Sequence, residues 1–362
     1  MRKRLPKNER IKRRYIEWLE EAKSLSEQST DPILAAILAF EQSTDFRDFA
    51  AFHIEQARRF KRLLTEARNE RTGKPLSQAT IRSRLMALKA FFQWLASQPG
   101  YRKIKYADAE YFNISANDSR IATARRERPA PELEQVHQVI ATLPSATAIE
   151  KRDRALIAFA ILTGARDDAL ASFSLKHVDL DQRLVHQDAR DVRTKFRKSF
   201  TTWFFPVGGE AETVTRDWVE FLRKDCGFGP NDPLFPQTKM GLDAEGRFVP
   251  VGLLAKHWSD AGAIRRIFRA AFEAAGLAYF HPHSFRTTLA RLGLKLTTTE
   301  EEWSTWSLNL GHENVATTFK SYGTVPTHRR AEVMRSLGEP RPAGTMSKEL
   351  LSAIETIRSI PL

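Results

Sequence analysis

Tyr322 stands next to last in the stretch LGHENVATTFKSYG, Leu310 to Gly323, ten residues after His312, in a chain with only six tyrosines. Neither packing nor turn chemistry asks for an aromatic ring there. It reads either as a surface aromatic, which is common, or as a nucleophile. A phenol with a pKa of about 10 attacks poorly until cationic donors stabilise its charge. Two other stretches carry such donors. In HPHSFRTTLARLG, His283 and Arg286 lie three residues apart, one helical turn and so one face, leaving Phe285 and Leu289 to anchor the other. In TGARDDAL, Arg166 follows the end of an apolar helix, where its guanidinium is either held for a ligand or taken up by Asp167 or Asp168. Arginine suits phosphate because its planar fork binds two oxygens at once and keeps its charge. The chemistry such a set could perform is attack on a phosphodiester.

The elements that must position these groups follow from hydrophobic period. From Ile11 the positions Ile11, Tyr15, Trp18, Leu19 and Ala22 predict an amphipathic helix. Pro32 predicts the first turn of another in DPILAAILAFEQS, and DFAAFHIEQARRFKRLLTEARNE carries a stripe that Gly73-Lys74-Pro75 breaks. Ser77 caps SQATIRSRLMALKAFFQWLAS, whose Ile81, Leu85, Leu88, Phe92 and Leu95 share a face. On its polar face Arg82, Arg84 and Lys89 could reach a DNA backbone or simply stay in water. The chain from 31 to 115 therefore reads as an all-helical domain, preceded over 1–30 by a basic tail and helix. Residues 116–131 lose the apolar period and gather Ser, Asn, Asp, Arg and Pro, which marks a linker; its Arg125, Arg126 and Arg128 would favour a duplex. A second domain follows over 132–342. It opens with helices in PELEQVHQVIATLP and DRALIAFAILTG, the latter ended by Gly164. Leu184–His186, Asp191–Lys195 and Phe200–Pro206 are rich in β-formers and predict a small antiparallel sheet. From Ala261 helices return, so the fold class is mainly α with a small antiparallel β-sheet.

Composition narrows the partners. Lys plus Arg exceed Asp plus Glu by 57 to 44, a formal charge of +13, which favours a polyanion, with nucleic acid foremost. The first fourteen residues alone carry eight basic groups against one acidic, either a solvated tail or an arm along phosphates. The single Cys226 excludes an internal disulfide and a cysteine zinc set and fits a reducing compartment. No apolar run approaches the roughly 18 residues of a membrane span, and the N-terminus is too charged for a signal peptide, so the expectation is a cytoplasmic protein without a membrane partner.

The ordered set TG-x-R, H-x-x-R and LGH followed by a tyrosine resembles the tyrosine recombinase, or phage integrase, family. The resemblance spans nearly the whole chain and implies a helical core-binding domain and an α+β catalytic domain that clamp DNA between them. Carried over by position, Arg166 resembles the first arginine, His283 and Arg286 the His-x-x-Arg pair, His312 the second histidine and Tyr322 the nucleophile. The family's lysine lies in a β-hairpin after the first arginine; in DVRTKFRKSFTTWFFP this is Lys195, with Lys198 as the alternative. Where the family often has a glutamate three residues after the first arginine, this chain has Ala169, with Asp167 and Asp168 nearby. Thr287 stands where a histidine often follows the second arginine, and one residue more than usual separates His312 from Tyr322.

The resemblance implies site-specific recombination through a 3′-phosphotyrosyl link, with no cofactor, by two protomers per site and four in a synapse. The C-terminal segment 343–362, with Met346, Leu350, Ile354 and Ile357 or Ile360 near one face, is expected to be helical and to pack on its own domain or on a neighbouring protomer. Rival readings are a type IB topoisomerase, a non-catalytic architectural DNA-binding protein, and a metal site built from His281, His283 and His312.

Overall fold

The computed structural model describes residues 4–70, 72–123 and 129–312. Tyr322, Arg125, Arg126, Arg128 and the segment 343–362 lie outside them. The chain divides into two compact units, Met1–Arg126 and Glu127–Leu362, with the division inside the expected linker.

The first unit is helical: α1 (Pro6–Glu21), α2 (Glu27–Ser43), α3 (Ile54–Glu66), α4 (Gln78–Ala96) and α5 (Ala116–Thr123). Ser77 caps α4 as expected, its hydroxyl accepting from the Thr80 amide. The core is aromatic, with Phe40 set edge-on against Phe60, Phe92 and Phe112. Three details differ from expectation. The first helix begins at Pro6, five residues before Ile11, because its first turn is tied down by polar contacts that the apolar period does not register. Asn8 donates to the Glu41 carboxylate and the Arg47 carbonyl, and Lys12 pairs with Glu41 at 2.6 Å and Glu9 at 2.8 Å. Part of the supposed basic arm is thus inside the domain. The second helix starts at Glu27, a turn before Pro32, and the linker region holds α5, a helix with no buried residue.

The second unit is organised around α7 (Ala148–Thr163), whose residues from Ala155 to Thr163 are all buried. It is covered by α6 (Leu133–Thr142), α9 (Ala211–Lys224), α10 (Gly262–Ala274) and α11 (Ser284–Leu296), and α12 (Glu300–Asn309) packs on α11. The short helix α8 (Asp167–Leu170) follows directly. A three-stranded antiparallel sheet runs in the order β1 (Val178–Asp179), β2 (Leu184–Gln187) and β3 (Phe200–Trp203), with Leu184 opposite Trp203 and Gln187 opposite Phe200.

The segment Asp191–Lys195, expected as a strand, is a loop. Its amides close local turns, Val192 to the Asp188 carbonyl and Thr194 to that of Val192, so no ladder forms and Val178–Asp179 supplies the third strand. A second hairpin, β4 (Gln237–Leu242) and β5 (Phe248–Leu254), had no counterpart in the sequence reading. Its turn is built on Asp243, whose side chain accepts from the amides of Glu245 and Arg247. Buried Arg152 pins its base through the Pro236 carbonyl and the Thr238 hydroxyl. Among the described residues no helix is long and apolar enough to cross a membrane.

Lys12 and Glu41 are both buried, so removing one charge strands the other. Lys12→Met should lower the stability of the helical unit by about 3–5 kcal/mol in urea denaturation, and Lys12→Met with Glu41→Leu should recover most of it.

Candidate active site

Arg286 is the third residue of α11 and only 2% exposed. A buried guanidinium is tolerable only when its donors find acceptors. Its Nη1 donates to the Gly164 carbonyl at 2.7 Å, and its Nη2 donates to the Leu310 carbonyl at 2.5 Å and to Nε2 of His312 at 2.9 Å. One side chain thereby joins the ends of α7 and α12 to the start of α11, and with them the TG-x-R, H-x-x-R and LGH stretches.

The two glycines in these stretches are there for geometry. Gly164 caps α7 in the left-handed region at φ 58°, where a Cβ would meet Leu289 at 2.9 Å. Gly311, at φ 71°, lies under the Phe200 ring, 2.6 Å from where a Cβ would stand. The same turn is held to β3 by Asn309, which accepts from the Trp203 amide at 2.8 Å and donates to the Trp203 carbonyl at 2.9 Å.

His312 is 7% exposed. A guanidinium can only donate, so Nε2 of His312 accepts and the ring's proton sits on Nδ1. Burial, then the electrostatic influence of Arg286, Arg166, His283 and Lys195, pushes its pKa down to about 3. The ring is neutral at ordinary pH. Arg166, His283 and Lys195 thus lie near enough to influence it electrostatically, beside Arg286, which touches it.

Arg166 and His283 both stand at helix N-caps, and Lys195 in a loop. Arg166, half-buried, is the N-cap of α8, in extended backbone at ψ 154°. The two aspartates suggested as its partners face elsewhere: Asp167 pairs with Arg265 at 2.7 Å, and Asp168 lies 4.0 Å from Arg193. Ala169, where the family often has glutamate, is buried in the core. His283 is the N-cap of α11. Its amide donates to Nδ1 of His281, which leaves the proton of a neutral His281 on Nε2, 3.7 Å from Asp167. Burial holds His281 below the usual histidine range despite that carboxylate. The set Arg265, Asp167 and His281 thus ties α10 to the residues flanking Arg166 and His283. Sequence reasoning missed Arg265 because nothing local marks a partner 98 residues away.

Lys195 is exposed, in the loop between β2 and β3 and not in a strand, and Lys198 is half-buried three residues on. Their ammonium groups lie 4.8 and 5.6 Å from the Phe196 ring centroid. In the helical unit, Arg82 and Arg84 are half-buried on α4, while Lys89 donates to Glu110 at 2.9 Å and Asn113 at 3.0 Å. Among the described residues no group of three or more His, Cys, Asp or Glu side chains could hold a metal, so His281, His283 and His312 do not form the triad a metal reading needs.

His312 makes stability depend on pH. Its folded value lies below the ordinary 6.5, so below that pH the unfolded chain binds the proton that the folded chain refuses. His177 and His257, also lowered mainly by burial, act in the same direction. The thermal midpoint should therefore fall as pH drops from 6.5 toward 3, and His312→Asn should flatten that slope. Gly311→Ala should lower the midpoint at every pH, since the Phe200 ring must move.

The profile of the phage integrase family matches residues 132–329, more than half of the chain. The tyrosine recombinase XerC of Serratia marcescens is 24% identical over 309 residues, covering 84% of this chain and 86% of that protein. That of Lactobacillus delbrueckii subsp. bulgaricus is 26% identical over 254 residues, covering 68% and 72%. Among solved structures, a lambda integrase dimer bound to a COC′ core site aligns with a TM-score of 0.54 at 13% identity, covering 88% of this chain and 78% of that one. The Tn1549 transposon integrase in complex with transposon right end DNA aligns with a TM-score of 0.53 at 13% identity, covering 91% and 99%. At such identity these two likenesses speak for the fold. With its arginine-centred site and a family match over most of the second unit, the chain belongs to the phage integrase family, the tyrosine recombinases, whose members cleave and rejoin DNA.

Proposed function

We propose that this chain is a site-specific recombinase that cuts double-stranded DNA and rejoins it through a 3′-phosphotyrosyl intermediate, with Tyr322 as the nucleophile. The observation that carries the reading is the Arg286 junction, which draws three distant stretches of chain together beside Arg166, His283 and Lys195. A cluster of cations with a neutral imidazole at its centre is suited to a phosphodiester, whose developing negative charge fixed donors stabilise.

In this reading Arg166 and Arg286 bind the non-bridging oxygens. His312 adds a hydrogen bond from Nδ1, since Nε2 is occupied by Arg286. His283 accepts or relays the tyrosine proton, and Lys195 protonates the leaving 5′ oxygen. The phosphotyrosyl bond conserves the energy of the broken linkage, so religation needs no nucleoside triphosphate, and the fixed cations take the place of a metal. Arg82, Arg84, Lys89, Arg125, Arg126 and Arg128 lie along the DNA backbone, two protomers occupy a site and four form the synapse. The DNA-bound lambda integrase dimer supports the oligomeric part by analogy of fold. The protein acts in the cytoplasm.

The test is capture of the covalent adduct on nicked duplexes drawn from a sequence library, with the attachment points mapped. The parent chain should form adducts at defined sites that joining assays pair with a second site. Tyr322→Phe should form none while still binding DNA, and Arg166→Ala or Arg286→Ala should slow cleavage by about 10²–10³-fold. Chelator should change nothing. Undiminished trapping by Tyr322→Phe would overturn the assignment of the nucleophile, and relaxation of any supercoiled plasmid without a partner site would mark a topoisomerase.

A further inference from the structure

The loop between β2 and β3 has a fixed stem. Val192 is buried, Asp191 pairs with Lys176 at 2.7 Å, and the Ala189 amide donates to the Ser199 hydroxyl at 2.9 Å. Arg193 anchors it most firmly, with its amide donating to the Ser172 hydroxyl and its Nη2 to the Trp258 carbonyl, both at 2.9 Å.

Its tip is built differently. Phe196 is 76% exposed, and it and Arg197 occupy the left-handed region in succession, at φ 61° and 52°. Two adjacent non-glycine residues in that region are costly, a bulky aromatic most of all, and such conformations persist where the surrounding structure imposes them, often at functional sites. The ring has the Lys195 and Lys198 ammonium groups beside it, and from Arg193 to Lys198 the loop reads RTKFRK, with four basic residues and no acidic one. The acidic residues of the stem are already engaged, Asp188 by Arg190 and Asp191 by Lys176.

A large exposed apolar ring with two ammonium groups beside it suits a partner that is anionic outside and apolar within. A DNA duplex fits that description, with phosphates flanking a stack of bases, and apolar side chains do enter base steps from the minor groove. The loop also stands at the catalytic cluster. Phe200, at the start of β3, covers Gly311, and Asn309 ties the other end of β3 to the turn that carries His312.

We propose that Phe196 is a wedge that enters the base stack at a step beside the phosphate to be cut and unstacks it. The inference rests on the recombinase reading and deepens it. A wedge of this kind acts before any covalent step and makes the protein prefer steps that open easily, such as pyrimidine–purine steps, at positions where it makes no hydrogen bond to a base.

The test uses the full chain and a duplex carrying the mapped attachment site, with 2-aminopurine placed on either side of the cleaved phosphate. In the Tyr322→Phe background, binding should raise the 2-aminopurine fluorescence several-fold. Adding Phe196→Ala should remove most of that rise and Phe196→Leu only part of it, with affinity reduced less than tenfold. In the otherwise unchanged chain, Phe196→Ala should slow adduct formation at least tenfold, and a mismatch that opens the step beforehand should restore it. The same fluorescence rise with Phe196→Ala, or slow adduct formation that the mismatch does not restore, would overturn the wedge while leaving the recombinase standing. Failure of the parent chain to form any adduct would instead remove the recombinase reading, and the wedge with it.

Discussion

The second unit depends on one buried charge. Arg286 cannot be withdrawn from water without acceptors, and the acceptors it finds are two main-chain carbonyls and an imidazole from the ends of two other helices. This makes the position of the guanidinium and the closure of the two helix ends a single requirement. Gly164 and Gly311 follow from it, since each terminates its helix in a conformation that turns the backbone sharply and leaves no room for a Cβ. The carbonyls of Gly164 and Leu310 thus serve the site as much as any side chain does.

Burial disfavours a proton on His312, and Arg286, Arg166, His283 and Lys195 add to it. The imidazole is therefore a neutral hydrogen-bonding group among cations, and its tautomer is set by the arginine beside it. The two carboxylates that follow Arg166 are held by other groups. Asp167 is occupied by Arg265 and His281, and Asp168 faces Arg193, which also anchors the lysine loop. These acidic groups help hold the framework in place through their own described partners.

The helical unit solves a different problem. Its aromatic core is conventional, but α1 is fastened to α2 by a buried polar cluster of Asn8, Lys12 and Glu41. Such groups are costly to bury and stable only when complete, so they fix how α1 lies on α2 where apolar contact alone would leave more freedom.

The sequence by itself determined most of the helices, though not α5 or α9, and the set of arginines, histidines and tyrosine with their order along the chain. Helical period and capping are local, so α4 with Ser77 and the Gly164 end of α7 were legible, while the start of α7 at Ala148, five residues before Asp153, was not. Only the tertiary structure decided what those residues do to one another. The partners of Arg286 lie 122 and 24 residues away in the chain, and the partner of Asp167 lies 98 away. No periodicity encodes such distances. The same limit explains the errors: Asp191–Lys195 has strand composition, but its amides are satisfied by local turns, and Pro6 begins a helix whose first turn is stabilised by residues from the next. A backbone segment takes the hydrogen-bond partners that the folded chain offers it, and those are chosen by packing between segments that the sequence keeps apart.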